Sequence, residues 1–392
     1  MSSSSTLPLI ILLGAVSALT PLAIDMYLPA MPAIAESLAS NSHSVQATLA
    51  VYTAGFAVGQ LLFGPLSDAK GRRPVLLGGI LAFAVTALIC AMAAGIEALT
   101  LARATQGFAG AASAVVVQAL VRDLFEREDF ARTMAYITLV MTIAPLAAPM
   151  IGGHLTHWFG WRSIFWVLAA VALLVMLACA WRLPETLEPE RRQSLRLAAV
   201  LRSYLRLLTE RQAIGFMLCG AFSFAGMFAF LTGASFIYIE LYGLPAHQTG
   251  YLFGVNVLTL MLFTTLNGKW VRRLGSRNML RAGLFIQLGA GLLMPVGPAL
   301  GLGLWSLVVP IMFYVGVISI IGSNTMASLL TANPNLAGTA SSLAGTLRFG
   351  LAALIGALVS ILPDSSPLYM VMTMSLCAML SSLCYWLLCV ER

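Results

Sequence analysis

The sequence has few charged residues. Aspartate, glutamate, lysine and arginine together make up 9% of the 392 residues, whereas hydrophobic residues make up 59%. Because soluble domains carry about 25% charged residues, this chain has too little polar surface to cover itself in water. The composition therefore excludes an ordinary soluble protein and predicts an integral membrane protein.

Residue patterns typical of catalytic or metal sites are also lacking. The six cysteines all fall in apolar stretches, none at metal-ligand spacing, which is typical of small buried side chains. The sequence shows no nucleophile–base set, metal cluster or phosphate-binding loop, so we predict neither an enzyme nor a cofactor. The net charge of +7 is scattered over short loops, which argues against binding to nucleic acid.

Twelve apolar stretches are long enough to cross a bilayer as helices, since about 20 residues span its hydrocarbon core. The first has no Lys or Arg before it and runs about 25 residues, which favours a retained helix over a signal peptide. The predicted fold class is thus an all-α membrane protein with twelve transmembrane helices. The predicted spans are 7–31, 45–66, 75–95, 99–120, 133–155, 161–181, 213–239, 248–268, 279–298, 303–328, 338–361 and 368–389.

Positive charge marks one side of the membrane. Apart from Arg103, Arg162 and Arg348, the Lys and Arg residues follow spans 2, 4, 6 and 8 or lie at the C-terminus. By the positive-inside rule, the even-numbered loops and both termini are expected in the cytoplasm. In the middle, a polar stretch at 183–212 suits an amphipathic helix on the membrane face or a flexible tether.

That stretch separates an N-terminal six-helix half, 1–182, from a C-terminal half, 213–392. The halves share a pattern: glycines seven residues apart, then arginine two positions later, occur after span 2 and again 204 residues on, at Gly268, Gly275 and Arg277. The repetition predicts two homologous halves with a site between them.

The first copy of this pattern carries more chemistry. It contains Gly64, Asp68, Gly71, Arg72 and Arg73. It resembles the signature loop of the major facilitator superfamily, Gly-x-Leu-x-Asp-x-x-Gly-Arg-Arg/Lys. The resemblance implies two pseudo-symmetric halves. We expect the glycines to permit close approach and tight turning, and the charged cluster to latch the halves when the cytoplasmic side is shut. The alternative is a positive loop without a gating role.

Asp25 lies within span 1, about six residues from its outer end. A carboxylate in the apolar layer costs roughly 2.5–3.5 kcal/mol on insertion scales, so its presence indicates a function such as proton coupling. Its alternative role is to satisfy backbone groups freed by Pro29 and Pro32.

Arg103 is the expected partner of Asp25, because at 1.5 Å per residue the two lie within roughly 3 Å of the same depth. Arg103-x-x-Gln106-Gly107 resembles the fourth-span pattern of the superfamily, which is associated with proton transfer. The alternative is an arginine that reaches the outer surface.

Span 5 contains Pro145, Pro149, Gly152 and Gly153. Proline bends a helix, and paired glycines let a neighbouring helix approach closely. Pro149-x-x-Gly-Gly resembles the fifth-span signature of drug/proton antiporters, although Ala148 replaces the usual glycine. The alternative is a simple kink.

Polar and pliable apolar side chains inside the spans are candidates for a substrate cavity. The span 7 residues equally suit lipid contact, and the uncharged polar groups equally suit helix packing. Arg348 either holds a polar or anionic substrate or packs against carbonyl groups. The candidates are Tyr52, Gln118, Met227, Phe228, Asn256 and Arg348.

Three longer segments, 24–32, 222–228 and 337–345, resemble the bicyclomycin-resistance (Bcr/CflA) branch of drug exporters. The resemblance implies proton-coupled efflux of antibiotics or other small amphipathic molecules across the bacterial inner membrane by alternating access, powered by the proton gradient. The expected partners are the substrate, protons and lipid, and the expected state is a monomer. The alternatives are export of a metabolite such as an amino acid or nucleoside, and proton symport.

Overall fold

The computed structural model describes residues 3–124, 127–188, 190, 192, 197–363 and 366–390. The predicted cytoplasmic termini at residues 1 and 392, and part of the predicted linker, lie outside these residues. Within the described ranges, all regular structure is helical.

Sixteen helices are described, joined by short loops and single turns. They are α1 (Ser3–Asp25), α2 (Met31–Ser37), α3 (Ser42–Lys70), α4 (Arg72–Ala91), α5 (Ile96–Leu124), α6 (Arg127–Phe159), α7 (Arg162–Arg182), α8 (Leu197–Thr209), α9 (Arg211–Phe236), α10 (Ala246–Leu274), α11 (Ser276–Leu293), α12 (Val296–Ala299), α13 (Trp305–Gly316), α14 (Ile318–Ala332), α15 (Ala337–Ser360) and α16 (Leu368–Cys384).

Eleven segments of the described chain are long and apolar enough to cross a membrane. The helix α6, 33 residues long, takes the place of predicted span 5 and brings the number to the predicted twelve. We call the end of the bundle at which α3, α5 and α7 finish the basic end, since Lys70, Arg122 and Arg182 lie in their last turns.

The first span is longer than predicted and is interrupted. It extends over Pro8–Ser37, but α1 ends at Asp25 and a short 3-10 turn, Leu28–Ala30, precedes α2. Proline has no backbone N–H, and its ring clashes with the carbonyl group four residues earlier. Pro29 therefore ends the helix at Asp25.

The internal repeat is visible in the helix ends. The first three spans and their counterparts, beginning at Pro8–Ser37 and Arg211–Leu241, correspond at an offset of about 204 residues. Both α3 and α10 contain 29 residues and end at a glycine with positive φ, 103° at Gly71 and 81° at Gly275. Glycine tolerates this conformation because it has no Cβ.

Two helix pairs form the largest contacts between the halves: α3 packs against α15, and α6 packs against α10. Glycines lie in both interfaces. An added Cβ at Gly345 would lie 2.4 Å from the Gln60 side-chain oxygen, and one at Gly250 would lie 2.7 Å from the Pro149 carbonyl oxygen. Small residues thus allow the two halves to meet closely.

The described part of the predicted linker contains α8. Leu201 and Leu205 are exposed on this helix, whereas Leu207 is buried. The Tyr204 hydroxyl group lies 3.2 Å from that of Ser342 on α15. The helix therefore rests against the second half at the basic end.

Candidate functional site

Asp25 lies deeper in its span than expected. It is twelve residues before the end of the span at Ser37, because the span continues beyond residue 31. Its side chain is partly exposed and close enough to the Tyr52 hydroxyl group to interact with it electrostatically. Since Pro29 cannot donate to the Asp25 carbonyl group, irregular backbone and an ionisable side chain coincide inside the apolar layer.

Arg103 is enclosed by aromatic rings. The carbon of its guanidinium group lies 4.6 Å from the centre of the Tyr27 ring and 4.2 Å from that of Tyr52. Its Nη1 donates to the carbonyl oxygen of Ala23 at 3.2 Å and to Oε1 of Gln106 at 2.8 Å. The side chain is fully buried, so it does not reach the outer surface as the alternative interpretation proposed.

The predicted direct ion pair between Asp25 and Arg103 is not formed. Both residues are described, yet no nitrogen of Arg103 lies within 4.0 Å of the Asp25 carboxylate group. Arg103 reaches the carbonyl group of Ala23, and Asp25 lies two residues further on, about 200° around the helix. The arginine therefore holds the backbone at the interruption, while the carboxylate points elsewhere.

The loop after α3 is built around Arg72. Its guanidinium group pairs with Asp68, and with Asp123 at the end of α5 at 3.3 Å, and donates to the Ser67 hydroxyl group at 2.7 Å. Arg72 is 7% exposed. Charge-assisted hydrogen bonds of this kind are strong, so Arg72 fastens the turn to α5.

Glu185 fastens the same loop from the other side. Its carboxylate group accepts hydrogen bonds from the backbone N–H groups of Arg72 at 3.0 Å and Arg73 at 3.3 Å. An added Cβ at Gly71 would lie 2.5 Å from this carboxylate group. Glu185 can approach closely because Gly71 has no side chain.

None of the described interactions of this loop makes the predicted contact with the second half. The described partners of Asp68, Arg72 and Arg73 all lie within residues 67–185, in the first half or, for Glu185, at the start of the linker. Gly64 also differs from expectation, because an added Cβ would meet its nearest neighbour only at 3.8 Å. In this conformation the loop is thus fastened to its own half and to the start of the linker.

The span 5 motif lies where the interrupted first span and the second half meet. An added Cβ at Gly152 would lie 2.1 Å from the Met26 carbonyl oxygen, and one at Gly153 would lie 3.0 Å from that of Ala246. The first distance is too short for a real Cβ, and the second is tighter than most Cβ contacts in proteins. The paired glycines therefore let α6 touch Met26, next to Asp25, and the first turn of α10.

The two prolines prepare α6 for these contacts. Pro149 lacks the N–H group that would bind the carbonyl group of Pro145, which loosens the helix at this point. The Pro149 carbonyl oxygen in turn faces Gly250 of α10. The motif thus forms a contact between the halves near the end opposite the basic end.

The candidate cavity residues do not form one cluster. Tyr52 is buried beside Arg103, and Gln118 is exposed on α5. Asn256 is buried and donates from its side-chain amide to the Leu252 carbonyl group of its own helix at 2.9 Å.

The remaining candidates lie in the second half. Phe228 is buried and its neighbour Met227 is partly buried, both on α9. Arg348 is at the middle of α15, with its guanidinium carbon 3.9 Å from the centre of the Phe224 ring.

Several participating residues were not identified from the sequence. Tyr27, Asp123, Glu185 and Gly250 come from segments distant from the residues they contact. Tyr27 was the most accessible to sequence reasoning, since it stands two positions after Asp25. The others carry no local signal of their partners.

Comparison with known proteins identifies the class that this architecture defines. The Major Facilitator Superfamily model matches residues 13–357. A structure of the xylose transporter XylE from Escherichia coli, in a partially occluded inward-open conformation, superimposes with a TM-score of 0.76 at 13% identity and covers 98% of both chains. The chain belongs to the Major Facilitator Superfamily and is a multi-pass membrane transporter, not an enzyme.

Within that superfamily, the chain is similar to curated resistance proteins. It is 40% identical over 384 residues to a bicyclomycin resistance protein homolog of Haemophilus influenzae, covering 98% of this chain and 96% of the relative. It is 27% identical over 391 residues to multidrug resistance protein D of Escherichia coli, with coverage of 98% and 96%.

Proposed function

We propose that this chain is a proton-coupled exporter of antibiotics or other small amphipathic molecules. It would act as a monomer in the bacterial inner membrane, with both termini and the basic end in the cytoplasm. Its relatives are named for resistance to bicyclomycin and to multiple drugs. The observation that carries the proposal is the Asp25 carboxyl group at the interruption of the first span.

The interruption gives Asp25 a means of transmitting protonation. Met26 follows Asp25 directly and touches Gly152, and Gly153 touches the first turn of α10 in the other half. Adding or removing the charge at Asp25 changes how favourably this segment sits in apolar surroundings. That change is passed through α6 to the contact between the halves.

Arg103 has a positioning role in this scheme. It binds the Ala23 carbonyl group and packs between two tyrosine rings, so it fixes the backbone just before Asp25. A fixed backbone on one side and the α6 contact on the other confine the movement to the segment around Asp25.

The two halves, 1–182 and 213–392, rock about the substrate while 183–212 links them. At the basic end, Arg72 with Asp68, Gly71 and Arg73 forms the gating loop, and its fastening to the first half and to Glu185 of the linker, without a described contact to the second half, corresponds to a released latch. The substrate binds between the halves, where Tyr52, Gln118, Met227, Phe228, Asn256 and Arg348 are the candidates for contact.

The test is transport by the purified protein in liposomes. Radiolabelled bicyclomycin and a panel of other antibiotics are offered with and without an imposed pH gradient. Replacing Asp25 by Asn should abolish gradient-driven accumulation but preserve exchange of substrate across the membrane, because the binding site remains. Glu97→Gln, an exposed acid at the start of α5, is the matched control.

Normal gradient-driven transport by Asp25→Asn would remove Asp25 from the mechanism. If amino acids or nucleosides were transported and antibiotics were not, the protein would be a metabolite exporter. Substrate movement in the same direction as protons would instead make it a symporter.

A further inference from the structure

Arg348 differs from the other arginine held inside the membrane-spanning bundle. Arg103 has a carbonyl oxygen, an amide oxygen and two tyrosine rings around it, and it is fully buried. Arg348 has the Phe224 ring against one face and makes no hydrogen bond or ion pair with any other described residue. Nε and Nη2 of Arg103 are also buried without a partner, but Arg103 uses Nη1 for two hydrogen bonds, whereas Arg348 uses none of its donors within the described chain.

The unused donors of Arg348 are at the tip of its side chain. Its Nε is buried without a partner, whereas Nη1 and Nη2 are not among the buried polar atoms. The two Nη atoms face Gly322 of α14, where an added Cβ would lie 3.9 Å from each. Because Gly322 has no side chain, α14 leaves the position directly beside the guanidinium fork free of a Cβ.

Aromatic rings border this space. The Phe349 ring lies 5.1 Å from that of Phe224 and 4.4 Å from that of Phe56, centre to centre. Phe56 belongs to α3 in the first half, so the rings connect the two halves beside Arg348. A ligand here would meet a cation on one side and an apolar, flat wall on the other.

A second unsatisfied polar group lies one turn away. The Gln60 side-chain oxygen is buried without a hydrogen-bond partner, close to Gly345 on the same helix as Arg348. This oxygen accepts hydrogen bonds only, so it would suit a hydroxyl or amino group on the ligand. The guanidinium fork suits an oxyanion, because its parallel N–H groups match two oxygens of one group.

We infer that Arg348 forms a subsite for an oxyanion group, carboxylate or sulfonate, carried by an aromatic or apolar ligand body that lies against Phe224 and Phe349. The inference rests on the proposed export function and narrows its substrates to those that include amphipathic organic anions. An anion also offsets a cation in the apolar layer, where an uncompensated charge is unfavourable.

The test compares two fluorescent probes that differ in charge. Dansyl acid carries a sulfonate group, and dansylamide has the same rings with a neutral sulfonamide group. Binding of each is measured on the purified full-length protein without a gradient. We expect dansyl acid to bind about tenfold more tightly than dansylamide, the difference that a charge-assisted bidentate contact gives.

Variants assign the difference to Arg348. Arg348→Gln should remove the preference for the anion, and Arg348→Lys should keep part of it, because lysine retains the charge but lacks the fork. Arg277→Gln, an exposed arginine at the basic end, should bind as the native protein does.

Equal binding of both probes by the native protein would overturn the inference, and this result needs no variant to fold. An unchanged preference in Arg348→Gln would overturn it as well. Gradient-driven bicyclomycin transport is measured on the same preparation. Absence of gradient-driven transport for bicyclomycin and for every antibiotic of the panel, with the anion preference intact, rejects the export function alone, whereas transport without the preference rejects the subsite alone.

Discussion

Replacing Gly250 by Ala should weaken the contact between the halves at the end opposite the basic end. The added Cβ would lie 2.7 Å from the Pro149 carbonyl oxygen, whereas ordinary contacts begin at 3.4 Å. The helices α10 and α6 must therefore move apart by about 0.7 Å, the difference between these distances. Overpacking of this kind costs roughly 1–3 kcal/mol.

Gly254→Ala is the matched control, one turn further along the same helix. Its Cβ would meet Leu146 of α6 at 3.6 Å, an ordinary contact. Both substitutions gain the same preference of Ala for a helix, so the difference between them isolates the contact with Pro149. That difference corresponds to about a 5- to 150-fold shift of the equilibrium towards the conformation that is open at this end.

The assay is labelling of Thr249→Cys by a membrane-impermeant maleimide. Thr249 is fully buried beside Gly250, so labelling requires the packing around this turn of α10 to open. Five of the six native cysteines are buried, and the protein without Thr249→Cys provides the background rate. Labelling should be at least about fivefold faster in Gly250→Ala than in Gly254→Ala. Equal rates in the two would refute the reasoning that glycine closes this interface.

Two further substitutions test the groups that hold the first half together. Arg103→Lys should lower the free energy of unfolding of the purified protein by about 1–2 kcal/mol, because lysine cannot stack its head group between the Tyr27 and Tyr52 rings. The change is measured as a lower melting temperature, and a melting temperature equal to that of Arg277→Lys would contradict the expectation. Asp123→Asn should accelerate amide hydrogen exchange at Arg72, because the loop loses one of its two ionic contacts; protection equal to that of the native protein would show that Asp68 alone suffices.

The sequence was sufficient for features that depend on local pattern. Apolar runs of about 20 residues predict spans by length alone, and the recurrence of glycine at an interval of 204 residues predicts the repeat that α3 and α10 display. Gly71 and Gly275 were also predictable, since tight turns at helix ends need residues that tolerate positive φ.

The geometry of the candidate site was not predictable in the same way. Equal depth favoured an ion pair between Asp25 and Arg103, but depth does not say which way each side chain points. Pro29 was seen as a source of freed backbone groups, yet its effect on span length was missed, so Asp25 was placed too near the surface. Close approaches such as that of Gly152 to Met26 depend on how separate helices pack. The local sequence does not indicate this packing.

The repeat also shows which features the two halves share and which occur in one half only. At the offset of 204 residues, Asp25 corresponds to Ala229 and Pro29 to Gly233, and α9 runs through these positions without interruption. The carboxyl group that we propose for proton coupling and the break in the helix next to it thus occur together in one half only. A carboxylate on an unbroken span, or a break without a carboxylate, would supply only one of the two features on which the proposed proton coupling depends.

Arg348, in contrast, occurs in the second half only. Its counterpart at the same offset is Ala144 on α6, so the second half has a cation inside a span where the first half has a small side chain. If the two halves divide the work in this way, protonation in the first half and ligand binding in the second must communicate through the shared interfaces of α3 with α15 and α6 with α10. Gly250→Ala should then reduce coupling between proton and substrate more than it reduces dansyl acid binding, because it alters the interface and leaves Arg348 in place. Equal losses of both would place the ligand site at the α6–α10 contact instead.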